Sequence, residues 1–136
     1  FAEMRPPMTE GAAWAEANRC LFCYDAPCTA ACPAGIDVAS FIRKITTDNL
    51  KGSARVILSA NVLGATCARV CPVEKLCEGA CVMHKEGRAP IPVGDLQRYV
   101  CDWAAANGVK VLARGRKKDK KVAVVGAGPA GLACAA

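Results

Sequence analysis

The chain predicts a mostly α-helical domain built around metal-ligating cysteines, followed by the opening strand and helix of a different fold. Three observations carry that prediction. Ten of the 136 residues are cysteine, and eight of these fall in two blocks, 20–32 and 67–81. Around the blocks, apolar residues recur at helical spacing, and nothing before residue 109 alternates as a half-buried strand does. After a basic stretch, residues 121–136 change to an apolar run and a glycine-rich turn.

Taken in order, Thr9 caps a first helix along which Trp14, Ala17 and Leu21 recur at roughly helical spacing. Pro27 and Pro33 break the segment 20–35 into a loop carrying four cysteines. Asp37 is a good N-cap for a helix over 38–49, with Phe41, Ile42 and Ile45 as its apolar face. A third helix is expected over 53–60, ending at Asn61. A short turn then places Cys67 and Cys71 at i, i+4, on one face if helical. Another short helix over 74–82 is expected to bring Cys77 and Cys81 to one side. Beyond Pro90 and Pro92 lies the clearest pattern, 94–106, stopped by Asn107-Gly108. Its stripe of Leu96, Tyr99, Val100 and Trp103 reads as core packing. The expected division is a helical domain 1–110, a linker 111–120, and the start of a second domain at 121–136.

Composition excludes several function classes. Hydrophobic residues make up 53% of the chain and aromatics only 5%. A domain this small commonly needs a metal or disulfides to supplement its core. No secretory leader pattern is present, although the chain begins at Phe1 rather than Met, so a short leader is compatible with it. No run of about 18 apolar residues suggests a membrane span. The expected setting is therefore cytoplasmic, where reduced thiols favour metal ligation over disulfides. The net charge is +6, and Lys110, Arg114, Arg116, Lys117, Lys118, Lys120 and Lys121 against Asp119 account for all of it. This stretch lacks the interleaved aromatics that stack nucleic-acid bases, so it reads as a solvated connector and no nucleic-acid partner is expected.

The cysteine spacing carries the chemistry. Cys20-x2-Cys23-x4-Cys28-x3-Cys32-Pro33 and Cys67-x3-Cys71-Pro72-x4-Cys77-x3-Cys81 resemble the ligand runs of cubane iron–sulfur clusters. Eight thiolates are sulfur enough for two [4Fe-4S] centres, and a chain of this size with two centres reads as an electron relay. The rival is zinc, for which a Cys-x-x-Cys pair serves equally well, giving an interaction module without redox chemistry. Zinc ribbons, however, set two such pairs well apart. A third reading keeps the clusters but makes them purely structural. His84, three residues past Cys81 in a polar segment, reads as a surface or loop histidine.

At the far end, Lys121-Val-Ala-Val-Val125 reads as a strand, followed by Gly126-Ala-Gly128-Pro-Ala-Gly131 opening an Ala-rich helix. A G-x-G-x-x-G in that context marks a Rossmann-type dinucleotide fold, whose glycines let the backbone approach a pyrophosphate. The acidic residue expected about 20 positions later is not present, so the chain reads as cut just inside that domain.

These motifs together resemble a known family. Cys20-Leu-Phe-Cys-Tyr-Asp-Ala-Pro-Cys-Thr-Ala-Ala-Cys-Pro33 is similar to the N-terminal iron–sulfur domain of dihydropyrimidine dehydrogenase. So are Leu63-Gly-Ala-Thr-Cys-Ala-Arg-Val-Cys-Pro72, Leu76-Cys-Glu-Gly-Ala-Cys81 and Ile91-Pro-Val-Gly-Asp-Leu-Gln-Arg-Tyr99. The same module opens the small subunit of NADPH glutamate synthase and a related NADH-dependent ferredoxin:NADP oxidoreductase subunit. Arg69-Val-Cys-Pro72 and Leu96-Gln-Arg98 look closest to the bacterial NAD-dependent pyrimidine-reducing small subunits.

The resemblance implies an alpha-helical ferredoxin-like domain with two [4Fe-4S] clusters and interleaved ligands. One cluster would take Cys20, Cys23, Cys28 and Cys81; the other Cys32, Cys71 and Cys77, with the Gln97 amide oxygen as fourth ligand. Cys67 would then be a bystander. Counting thiolates alone gives Cys67 a ligand's place instead, and Cys101, one helical turn after Gln97, is a second rival. Cys101 and Cys134 otherwise read as small buried residues. The resemblance also implies FAD and NAD(P)H in a longer protein, with Gly126, Gly128 and Gly131 against the FAD pyrophosphate. Electrons would pass between flavin and a larger catalytic or electron-accepting subunit. Residues 1–136 alone are not expected to catalyse hydride transfer.

Overall fold

The structure is a computed structural model that describes residues 3–113, 115, 116 and 118–136; Arg114 and Lys117 of the expected linker lie outside the described residues. It holds α-helices and short 3-10 turns, and no strand among the described residues, as a mostly α chain requires. The helices are α1 (Glu10–Asn18), α2 (Pro27–Ala30), α3 (Val38–Thr46), α4 (Leu50–Ala60), α5 (Gly64–Val70), α6 (Val93–Ala106) and α7 (Pro129–Ala135). None is long and apolar enough to cross a membrane.

Capping sets most of the boundaries. Thr9 Oγ1 accepts from the Ala12 amide and starts α1, as expected. The helix stops at Asn18, however, and buries Ala13 and Ala17, while Trp14 and Leu21 are exposed. The small residues let α1 lie close to α3 and α6, so the large ones are turned outward. Asp37 Oδ1 accepts from Ser40 N–H at 3.0 Å and opens α3. That helix ends three residues before the expected boundary, because Asp48 turns the chain at φ 55°. Asn49 then caps α4 through Gly52 N–H at 2.9 Å, which moves its start from the expected 53 to Leu50.

Helix α6 is the spine, packed against α1, α4 and α5, and it buries Leu96, Gln97, Arg98, Val100, Cys101 and Ala104. Tyr99 and Trp103 of the expected stripe are only partly buried against the core. Helices α3 and α4 form the second layer, tied by the buried Ser53 hydroxyl donating to the Phe41 carbonyl at 2.8 Å.

Two expectations fail locally. Residues 74–82 do not form one helix: a 3-10 turn at Val73–Lys75 and another at Val82–Glu86 flank a run of tight turns. Gly79 sits where a Cβ would lie 2.3 Å from the Glu74 carbonyl oxygen, a fold-back that a regular helix with side chains would not allow. The run 121–125 is also no strand, since no partner among the described residues supplies a ladder. The glycine-rich turn after it is tight. A Cβ on Gly131 would sit 2.1 Å from the Gly126 carbonyl oxygen, so the chain closes tightly as α7 begins. Helix α7 buries none of its residues, and Cys134 is exposed, contrary to expectation.

Candidate metal centres

The cysteines sort into two hollows. The first brings together Cys20, Cys23, Cys28 and Cys81 among apolar neighbours, chiefly Val38, Ile42, Met83, Ile91 and Val93. Three of its thiols come from one loop and the start of α2, where Pro27 occupies the first turn. Thr29 Oγ1 accepts from Val38 N–H at 3.0 Å and fastens that turn to the start of α3. Cys81 arrives from the far side of the chain. Arg19 donates to the Ala89 carbonyl at 2.6 Å, pinning the segment after Cys81 beside the loop that begins the set.

The second hollow gathers Cys32, Cys67, Cys71, Cys77 and Gln97, with Ile36, Val73 and Leu76 around them. The expected ligand sets are thus each brought to one place, and Cys77 and Cys81 go to different hollows rather than to one side of a helix. Cys67 and Cys71 lie one turn apart on α5 and its C-cap, and the Cys71 amide donates to the Cys67 carbonyl at 3.0 Å. Gln97 is buried on α6, and its Nε2 donates to the Gly64 carbonyl at 2.7 Å. That bond fixes the amide's flip and leaves Oε1 to the hollow. Cys101 is buried behind Gly64 and does not line the hollow. His84 is exposed, with its ring against the Glu78 carbonyl.

Glu78, next to Cys77 in the chain, ties that turn to α6. Its Oε1 accepts from Gly94 N–H at 2.9 Å, capping α6 where Pro92 has no side chain to do so. Nothing in the sequence spacing signals this cap, because donor and acceptor lie 16 residues apart. Gly94 itself leaves little room, since a Cβ there would lie 3.2 Å from Val73 Cγ1.

Burial dominates the electrostatics. It pushes the Cys28 thiol up to about 11 and Cys77 to about 12, and raises Cys20 and Cys71 as well. Neighbouring thiols of the same hollow add to the rise, Cys81 at Cys20 and Cys28, and Cys32 at Cys77. Thiolates in such places need a cation to neutralise them, and binding one releases their protons. The donors stand around their hollows. Among the described residues no three His, Cys, Asp or Glu groups converge closely enough to hold a single metal ion. A cubane takes one thiolate at each iron, at the corners of a cluster, and that arrangement suits thiols spaced about an apolar cavity. The four-donor sets and their apolar linings fit iron–sulfur clusters.

Comparison with known proteins agrees. Residues 1–109 match the family model described as dihydropyrimidine dehydrogenase domain II, 4Fe-4S cluster. The NAD-dependent dihydropyrimidine dehydrogenase subunit PreT of Escherichia coli K12 is 50% identical over 130 residues, 96% of this chain and 31% of the relative. Its Salmonella typhimurium counterpart is 47% identical over the same shares. The glutamate synthase (NADPH) small chain of Escherichia coli K12 is 38% identical over 136 residues, 99% of this chain and 29% of the relative. The chain therefore spans about three-tenths of the length of these relatives. It belongs to the dihydropyrimidine dehydrogenase domain II family of 4Fe-4S domains.

Proposed function

We propose that this family member is the iron–sulfur relay of a larger NAD(P)H- and FAD-dependent oxidoreductase, passing single electrons through two [4Fe-4S] clusters between flavin and a partner subunit. The observation that carries the reading is the sorting of donors into two separate apolar hollows. In this reading Cys20, Cys23, Cys28 and Cys81 hold one cluster. Cys32, Cys71, Cys77 and Gln97 Oε1 hold the other, with Cys67 beside it and unligated. Bound clusters supply one-electron chemistry. The chain's own part is to offer deprotonated sulfur, exclude water with Val38, Ile42, Ile36 and Val73, and orient the Gln97 amide through its bond to the Gly64 carbonyl.

The relatives' names supply the wider setting. A dihydropyrimidine dehydrogenase subunit and a glutamate synthase small chain among the relatives support pyrimidine reduction or glutamate synthesis as the reaction of the longer protein, with a larger catalytic or electron-accepting subunit as its partner in this reading. Gly126, Gly128 and Gly131 then begin the FAD site, and a cytoplasmic setting keeps the thiols reduced. Anaerobically purified protein should be brown and carry about eight irons and eight sulfides per chain, as two cubanes require. Colourless protein with zinc and no iron would sink the proposal. In the full-length protein, NAD(P)H should reduce the clusters within turnover time; clusters that stay oxidised would leave them a structural role.

A further inference from the structure

The first hollow is closed by a strained turn. Phe22, between Cys20 and Cys23, has φ 49°, in the left-handed region that a bulky side chain adopts only when its surroundings hold it there. Two contacts hold it. The ring packs on the core, and the Arg43 guanidinium lies over its face, Cζ 4.9 Å from the centroid, within cation–π range.

Arg43 reaches this place from α3, the helix whose Val38, Ala39 and Ile42 line the same hollow. Arg43 shares the groove outside the turn with Cys23, a thiol of the same set. Lys44, Asp25 and Asp37 share the groove outside the turn, but the stacked guanidinium is the group tied to it. The second hollow has the opposite neighbour: Glu78, an acid, directly follows Cys77 in the chain.

Resting on the cluster reading above, we propose that Arg43 is a positioning residue for the first iron–sulfur site. Its stack on Phe22 holds the Cys20–Cys23 turn, and its charge favours the reduced form of that cluster. Reduction there adds one electron and one negative charge, with no bond made or broken and no proton moved. A cation outside the turn lowers the energy of that added charge.

The test is an EPR-monitored redox titration of the full-length protein, prepared without air, as wild type, Arg43→Gln and Arg43→Lys. In Arg43→Gln one of the two cluster midpoints should fall while the other stays. At the original midpoint the reduced-to-oxidised ratio should drop about threefold, the size of an exposed charge interaction. High salt should shrink the difference. Arg43→Lys should keep the midpoint at low salt, yet lose iron to a chelator faster, because an ammonium does not reproduce the planar stack. Two unmoved midpoints in Arg43→Gln, or an equal fall in Arg43→Lys, would overturn the assignment. Should Arg43→Gln lose its first cluster altogether, the midpoint in Arg43→Lys decides alone: unmoved supports the role, lowered refutes it. Absence of any cubane signal in the wild type would instead defeat the cluster reading beneath it.

Discussion

The two hollows reach similar ends by different routes. The first takes three thiols from one stretch of 9 residues, 20–28, and borrows only Cys81 from afar. The second draws on the loop at Cys32, on α5, on the turns at Cys77 and on α6, so four separated pieces of chain must be in place together. It also has a surplus, since Cys67 and Gln97 both face it. A site built locally depends on the shape of one loop; a site built from remote pieces depends on the packing of the whole domain. The difference teaches where each centre is vulnerable.

The sharpest break is to remove one local thiol. Cys28→Ser should abolish the first centre and leave the second, halving the iron and sulfide content measured after anaerobic reconstitution. Loss of both centres at once would mean that they assemble as one unit. Removing all metal should separate the hollows in another way. With burial holding Cys28 near 11 and Cys77 near 12, above their ordinary value of 9.0, the folded metal-free chain keeps these protons more tightly than the unfolded chain. That stabilisation is complete below about pH 9 and is lost as pH rises towards 11 and 12. Thermal unfolding of chelator-stripped protein should therefore show a falling melting temperature above pH 9. Cluster-loaded protein should fall much less, because its ligands carry no protons to lose.

The surplus at the second hollow can be resolved by Gln97→Cys. Replacing a neutral amide oxygen by a thiolate adds one negative charge, and net charge is a tuning term for such clusters. The second midpoint should drop in potentiometry while the first stays. An unchanged midpoint would take Gln97 out of the ligand set and favour Cys67. A smaller effect is expected from Gly64→Ala. Its Cβ would lie 2.6 Å from Ile57 Cγ2 and 3.3 Å from Cys101 Sγ, behind the carbonyl that orients Gln97. Overpacking of this kind costs about 1–3 kcal/mol, read as a lower melting temperature with a selective loss of the second cluster.

The contrast between hollows also explains what the sequence could disclose. Cysteine spacing announced the ligand-bearing loop at 20–32, because a loop's ligands are neighbours in sequence as well as in space; that Cys32 parts from the other three came from the resemblance. The helix caps at Thr9 and Asp37, the all-α class and the 94–106 helix were legible for the same reason. What spacing could not show was long-range. No periodicity sends Cys77 and Cys81 to different hollows, since that follows from the fold-back at Gly79. Nothing in the sequence marks Glu78 as the cap of α6, or Arg43 as the cation over Phe22. Gln97 entered by resemblance rather than by its chemistry, as an amide on a buried helical face looks like any satisfied polar residue. Asn49 was missed although its signal was present: an Asn three residues before a glycine amide is an ordinary N-cap.

The smallest expected effect supplies the control for all of these. Ser53 is fully buried, and its hydroxyl donates to the Phe41 carbonyl at 2.8 Å, joining α4 to α3. Helix α3 lines the first hollow, and α4 carries Ile57, which backs the second through Gly64. The bond touches neither set of donors but lies under both. Ser53→Ala removes the donor and keeps nearly all the volume, and the Phe41 carbonyl retains its helical partner. The expected cost is about 1 kcal/mol, the net worth of one buried hydrogen bond. Because the shared layer carries the loss, the melting temperature should fall slightly while both clusters keep their iron and their midpoints. A selective change at one centre would show that the seam between α3 and α4 belongs to that centre's scaffold, and that the two hollows are less independent than their separate donor sets imply.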